Sequence, residues 1–280
     1  MTKLSVKSGM DVRRLVGAWI CLFCVLPLWN SAPADAEDSP EIAKQAQNPI
    51  ASMISVPFQN STTFGVGADS RVQDSLLIEP VVPFRRTSDW NLITRTIVPV
   101  IEQPTLGPGL GDVSGVGDVQ LSLYMSPAKP YGGLIWGLGP SFSFATASDR
   151  SLGTGKNSAG LSTALLTIRG PWLVGVLMTD VASIGGQEAR KSVHQFLVQP
   201  FVDYNFSHGW YLGSSPIITA DWRAASGNKW TVPLGGGGGR ILHIGGQAVN
   251  AYVQAFDDVV RPHAGGTWTL RLQVQLLFPK

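Results

Sequence analysis

The sequence predicts an all-β fold, a transmembrane antiparallel β-barrel of the outer-membrane type with about twelve strands. Three observations predict it. The first is the segment from Trp268 to Phe278, WTLRLQVQLLF. A strand has period two, so Trp268, Leu270, Leu272, Val274, Leu276 and Phe278 share one face. Thr269, Arg271, Gln273 and Gln275 share the other, and only Leu277 breaks the alternation. An apolar face with an aromatic ring at each end suits lipid outside, water inside and rings at the two interfaces. The second is composition: the chain is 44% hydrophobic and only 14% charged, against roughly 25% charged in an average soluble protein. The third is the recurrence of alternating segments, joined by connections that are short and long in turn.

Taken in order, the first 36 residues read as a secretory signal. Lys3, Lys7, Arg13 and Arg14 form a positive region, and Leu15 to Trp29 an apolar stretch interrupted by proline. Ala34-Asp35-Ala36 matches a small-x-small cleavage pattern. Both cysteines, Cys21 and Cys24, fall inside this segment, so residues 37–280 contain no disulfide, thiolate metal site or cysteine nucleophile. The formal charge of +2 belongs to it as well, since four basic and two acidic residues precede Glu37. Residues 37–280 are formally neutral, which argues against nucleic acid as a partner. Residues 37–48, EDSPEIAKQAQN, read as a short polar periplasmic lead, with no plug domain ahead of the barrel.

The barrel is expected over 49–280. No window of about 20 continuous apolar residues remains there, so any crossing is by strands. The alternation places strands at roughly 49–58, 72–84, 88–99, 116–126, 132–146, 157–168, 171–182, 193–206, 209–222, 229–242, 248–260 and 267–278. Tight connections contain residues 85–88, 169–170 and 207–209. Longer ones cover 59–72, 102–115 and 146–156. Short turns on one side and long loops on the other are the outer-membrane pattern, and an even strand number puts both termini on the short, periplasmic side. Trp90, Trp172 and Trp210 begin strands after tight turns, and Trp222, Trp268 and Phe278 lie at other strand ends. These six are the expected interfacial aromatics. Trp210 and Trp222 are twelve residues apart on one face. At about 3.3 Å per residue and a tilt of about 45° they span roughly 28 Å, close to the apolar band.

Several blocks carry a resemblance: residues 48–60, NPIASMISVPFQN; 89–100, DWNLITRTIVPV; 126–142, SPAKPYGGLIWGLGPSF; 199–222, QPFVDYNFSHGWYLGSSPIITADW; and 230–240, WTVPLGGGGGR. They resemble a family of proteobacterial outer-membrane proteins labelled "neuromedin U". That family is similar to the outer-membrane proteins grouped with meta-pathway phenol degradation. The resemblance implies a barrel and a transport role, without residue roles to carry over. One departure is that Phe278 is followed by Pro279 and Lys280, where many barrels end on the aromatic.

With the apolar faces outward, Arg95, Asp118, Gln120, Asp203, Asp221, Arg271, Gln273 and Gln275 point inward. They either line a water path or pair with one another and fill it. Their mixed signs argue against a strongly ion-selective pore. The bulky inward candidates Tyr124, Phe201 and Tyr211 point to a narrow lumen. Glu79 is ambiguous because Pro80 and Pro83 disturb its strand. Pro99, Pro140, Pro200, Pro216 and Pro233 also fall in or at the ends of strands. They mark local bulges in a closed barrel, or kinks that open a lateral gap. The run Gly235–Gly239 lacks the Lys and Ser/Thr of a phosphate cradle, so it reads as room for bulky neighbours or close strand approach. Ser192 and His194 share a face near the outer rim without a nucleophile motif around them, so no enzyme is expected. No metal-ligand spacing occurs, and no cofactor is expected. Asp112 and Asp118 flank a glycine-rich loop that either bridges cations to lipopolysaccharide or is simply solvated. The reading is therefore an exported protein of the Gram-negative outer membrane that passes small solutes, hydrophobic or aromatic ones among them, by diffusion. Its expected partners are membrane lipid, lipopolysaccharide and, through the last strand, the barrel-assembly machinery. A structural or interaction barrel without an open pore is the alternative, and an outer-membrane lipid hydrolase a remoter one.

Overall fold

The computed structural model describes residues 39–105 and 111–279. The expected signal segment lies outside them, as does part of the 102–115 loop. A helix, α1 (Ser39–Gln47), precedes fifteen strand segments. These are β1 (Ile54–Val66), β2 (Arg71–Ile78), β3 (Val81–Arg85), β4 (Trp90–Gln103), β5 (Val113–Val116), β6 (Val119–Pro127), β7 (Leu134–Phe144), β8 (Lys156–Arg169), β9 (Trp172–Gly186), β10 (His194–Asn205), β11 (Trp210–Ser214), β12 (Ile218–Asp221), β13 (Trp230–Ile244), β14 (Gln247–Val260) and β15 (Trp268–Phe278). Three pairs of segments, β2/β3, β5/β6 and β11/β12, are each one strand interrupted near its middle. The sheet closes on itself into a twelve-stranded antiparallel barrel, with β1 zipped to β15 from Ile54↔Phe278 to Phe64↔Trp268. Closure removes every free edge, the condition for strands to span hydrocarbon.

The twelve expected strands are the twelve observed, with the largest correction in the first and the strands expected at 88–99 and 171–182 running on to Gln103 and Gly186. The first strand runs from Ile54 to Val66 rather than over 49–58, and the expected loop at 59–72 shrinks to a turn at Gly67–Ser70. The residues Asn60–Thr63 look like loop because they are all polar. They are strand because their side chains have polar neighbours across the sheet: Thr62 Oγ1 donates to Asp74 at 2.6 Å, and the Thr63 and Thr269 hydroxyls lie 3.0 Å apart.

Apart from the Gly67–Ser70 turn, the short connections gather at one end of the barrel, where β1 starts and β15 finishes. Among them Gly245 and Gly246, both at positive φ (57° and 84°), make the two-residue turn from β13 to β14. The glycine run lies in β13 against β11. A Cβ on Gly239 would overlap the Tyr211 ring, and those on Gly235 and Gly237 would strike the β14 backbone. Gly239→Val is therefore expected to displace Tyr211, whose hydroxyl donates to Asn250 at 2.8 Å. Overpacking of this kind costs about 1–3 kcal/mol. Urea unfolding followed by tryptophan fluorescence should show the loss, and an unchanged midpoint would contradict this packing.

The core sits inside the barrel, toward the short-turn end. Val81, Ile93, Tyr124, Ala164, Leu166, Leu173, Leu177 and Phe201 are all inward and buried, with Ile50 wedged among them. A second cluster joins Ala43 of α1, Ala51 and Met53 to Ile241, Ala248 and Leu277.

Candidate functional site

The site is the lumen, and α1 determines its form. Nine residues with Pro40 and Glu41 in the first turn and Lys44 in the last make an acceptable helix start and finish. So short a helix is marginal alone. Here its Ile42–Ala43–Ala46 face packs on the barrel wall. Gln47 and Asn205 exchange two amide hydrogen bonds of 2.9 and 3.0 Å, and Gln275 Nε2 donates to the Ala46 carbonyl at 3.3 Å. The expected short lead at 37–48 includes this helix, and residues 39–53 pack against the wall at the short-turn end. Leu277, the residue that breaks the alternation of the last strand, is fully buried in the same cluster.

Above the helix lies a chamber of about 130 Å³. Its floor is Ala46–Pro49, and its walls are mostly amides and hydroxyls: Gln59, Gln199, Gln254, Gln273, Gln275, Asn250, Tyr211 and Tyr252. The Tyr252 hydroxyl lies 2.9 Å from Gln59 Oε1 and from Gln273 Oε1, with its one proton for the two, so these walls are largely fixed by one another. Asp203 faces the chamber, buried, without a side-chain hydrogen bond among the described residues. Toward the long loops a vestibule of about 420 Å³ follows, with Gln120, Asp221, Lys229, Phe196, Leu197 and Val181 on its walls. Arg95 and Leu177 line both spaces and mark the junction. Arg95 donates to Glu79 at 2.6 Å, and the pair is largely buried.

The eight inward candidates do not form one set. Gln120 and Asp221 border the vestibule, Arg95 the junction, and Asp203, Gln273 and Gln275 the chamber. Arg271 is turned inward but buried. Its Nη1 donates to the Ser215 carbonyl at 2.9 Å, and its guanidinium lies 4.6 Å from the Phe256 ring centre. Asp118 is buried under the loop at 145–155, accepting from Thr154 N and Oγ1 (2.7 and 2.8 Å) and Ala147 N (3.2 Å). Asp112 pairs with Arg71 at 2.5 Å. Tyr124, Phe201 and Tyr211 are all buried inside, narrowing the lumen as their bulk suggests. What sequence reasoning missed is Glu79 as partner to Arg95, and the inward leucines Leu166, Leu173 and Leu177. The Glu79 signal is present in the sequence only as an acid beside a proline, with nothing to name its partner sixteen residues on.

The six selected aromatics are all on the outer face, at least partly exposed. Trp90, Trp172, Trp210 and Phe278 stand at the short-turn end. Trp222 and Trp268 stand at the other, joined by Trp230, 5.4 Å from Trp222, and Phe64, stacked at 4.2 Å on Trp268. His194 also faces outward, its Nε2 2.9 Å from Asp180 Oδ1. Ser192 makes no hydrogen bond to it among the described residues.

No family model matches the chain, and no curated protein matches it. Among solved structures, an outer membrane channel from Pseudomonas putida is similar over 81% of this chain and 94% of its own, with a TM-score of 0.58 and 15% identity. The NanC porin is similar over 81% of this chain and 100% of its own, with a TM-score of 0.50 and 10% identity. At such identities the likeness is one of fold: this chain has the closed twelve-stranded barrel of outer-membrane proteins.

Proposed function

We propose that the chain is an outer-membrane channel for passive passage of small solutes, held closed at its short-turn mouth by α1. The observation that carries this reading is the pair of lumen spaces meeting at Arg95 and Leu177 inside a closed barrel. Solutes enter the vestibule from the long-loop side, which corresponds to the cell exterior in barrels of this type. The two aromatic bands support a barrel seated in a bilayer, with rings at its two interfaces. The small size of the chamber and the bulk of Tyr124, Phe201 and Tyr211 favour solutes of modest diameter. The similarity to a channel and a porin agrees with this role without naming a solute.

Swelling of proteoliposomes in graded small sugars and polyols tests the reading. Swelling that falls off with solute size is expected once α1 is displaced. No swelling from a demonstrably folded barrel, with or without α1 seated, would favour the alternative of a structural barrel, in which the packed cores around Ile50 and Ala43 simply fill the lumen.

A further inference from the structure

The chamber is short of hydrogen-bond donors. Asp203 lines it with a carboxylate, an acceptor only, and the residue is just 7% exposed. The strand register shows why the protein gives this group no partner. Across the two ladders Asp203 stands beside Leu173 on β9 and Gly213 on β11. Neither has a side-chain donor. A Cβ on Gly213 would fall on Asp203 Oδ1, so the glycine is what makes room for the carboxylate. Two residues away along β10, on the same face, are Phe201 and Asn205. Phe201 has nothing to donate, and Asn205 gives its amide hydrogens to Gln47 and to the Pro171 carbonyl. The Tyr211 hydroxyl donates to Asn250.

The rest of the wall repeats the pattern. The amide nitrogens of Gln47, Gln199, Asn250, Gln254, Gln273 and Gln275 all donate to oxygens other than those of Asp203. Tyr252 has one proton for Gln59 Oε1 and Gln273 Oε1, so one of these oxygens goes without it. Charge is unbalanced in the same sense. Among the described residues the charged members of the lining are Glu79, Arg95 and Asp203, and the first two pair at 2.6 Å. Arg271, inward and buried as well, is held by the Ser215 carbonyl and the Phe256 ring. One negative charge and a surplus of oxygens are left facing the chamber. An unpaired carboxylate away from bulk water costs several kcal/mol, which a positive charge beside it offsets.

We propose that the chamber is a binding site for a small monovalent cation, an alkali ion or a primary ammonium group. Asp203 is its counter-charge, and the amide oxygens of the wall are its neutral ligands. The single net charge of the lining matches a monovalent ion. Divalent cations are held by several carboxylates as a rule, and no group of three or more His, Cys, Asp or Glu suited to a metal occurs among the described residues. The chamber volume of about 130 Å³ restricts the ligand to a small one. The site goes beyond the channel reading and does not depend on it, since an ion can exchange with a chamber through which larger solutes cannot pass.

Urea unfolding of the protein in potassium, methylammonium or N-methyl-D-glucamine chloride tests the site, the last being a cation too bulky for the chamber. A ligand of the folded state alone raises the folded-to-unfolded ratio about tenfold for each tenfold in concentration above its dissociation constant. That rise is expected with potassium or methylammonium, and should be absent with N-methyl-D-glucamine and in Asp203→Asn. A response to potassium alone marks a bare ion and a response to methylammonium alone a hydrogen-bonded ammonium group; either supports the site. Equal responses to all three cations in the wild type, or an undiminished response in Asp203→Asn, would overturn it. The wild-type comparison holds even where Asp203→Asn fails to fold, and rubidium anomalous scattering from wild-type crystals then locates the ion. A peak beside Asp203 is expected, and peaks only outside the chamber would overturn the site. Solute flux without a cation response would overturn the site and leave the channel standing. A cation response in a barrel that passes no solute would leave the site standing and overturn the channel.

Discussion

Ala43→Glu is expected to open the short-turn mouth and raise the flux of small polar solutes by about tenfold or more. Ala43 is fully buried between α1 and the wall, against Met53, Ile241 and Leu277. Burying an unpaired carboxylate there costs several kcal/mol. What holds α1 in place is modest: a small apolar face and three amide hydrogen bonds to Asn205 and Gln275, each contributing about 1 kcal/mol net. The penalty exceeds the hold, so the helix leaves and the chamber loses its floor of Ala46–Pro49. The barrel itself is untouched, because α1 pairs with no strand. Glu41→Gln is the control. Its side chain is 72% exposed, and its partner Lys44 lies on the same helix. Flux unchanged by Ala43→Glu in a folded barrel would show that the mouth is closed by something other than α1.

Arg95→Met is expected to be the most destabilising single change in the lumen. Arg95 and Glu79 face each other at 2.6 Å with side chains only 17% and 8% exposed. Removing one partner of a buried pair leaves the other charge uncompensated, at a cost of about 3–5 kcal/mol. The double change Glu79→Gln with Arg95→Met removes both charges and should recover a large part of that loss. Urea unfolding midpoints of the single and double variants measure this. If the double variant is no more stable than Arg95→Met, the pair is not coupled as its geometry indicates. Because Arg95 stands at the junction of vestibule and chamber, the double variant should also pass solutes at an altered rate.

Much of this architecture is legible in the alternation of the strands. The last strand announces inside and outside residue by residue, and Trp268 and Phe278 stand at opposite ends of its outer face. The even count and the short turns place both ends of the barrel strands on one side. Legibility failed where the lumen stopped being water. Leu166, Leu173 and Leu177 point inward because the lower half of the barrel is a packed core, and an alternation rule that sends every leucine to lipid misplaces them. Helix α1 was hidden for a related reason: its nine residues are too polar and too short to signal a helix, and they fold against a wall that the local sequence does not show. Leu277 carried a visible sign of this, as the one apolar residue on a polar face. The polar half of β1 was hidden because Thr62 and Thr63 find their partners on neighbouring strands, Asp74 on one side and, 206 residues on, Thr269 on the other. Arg271 was read as inward, and so it is, but its bond to the Ser215 carbonyl ties it to the wall between β11 and β12 rather than to open water.

The central claim is a solute path through a barrel that α1 keeps shut. Single-channel recording in planar bilayers, comparing the wild-type protein with Ala43→Glu, tests it most directly. The expected result is a wild type that is mostly closed and a variant with frequent, reproducible conductance steps. Silence from both folded barrels would contradict it. So would wild-type steps as large and as frequent as those of the variant.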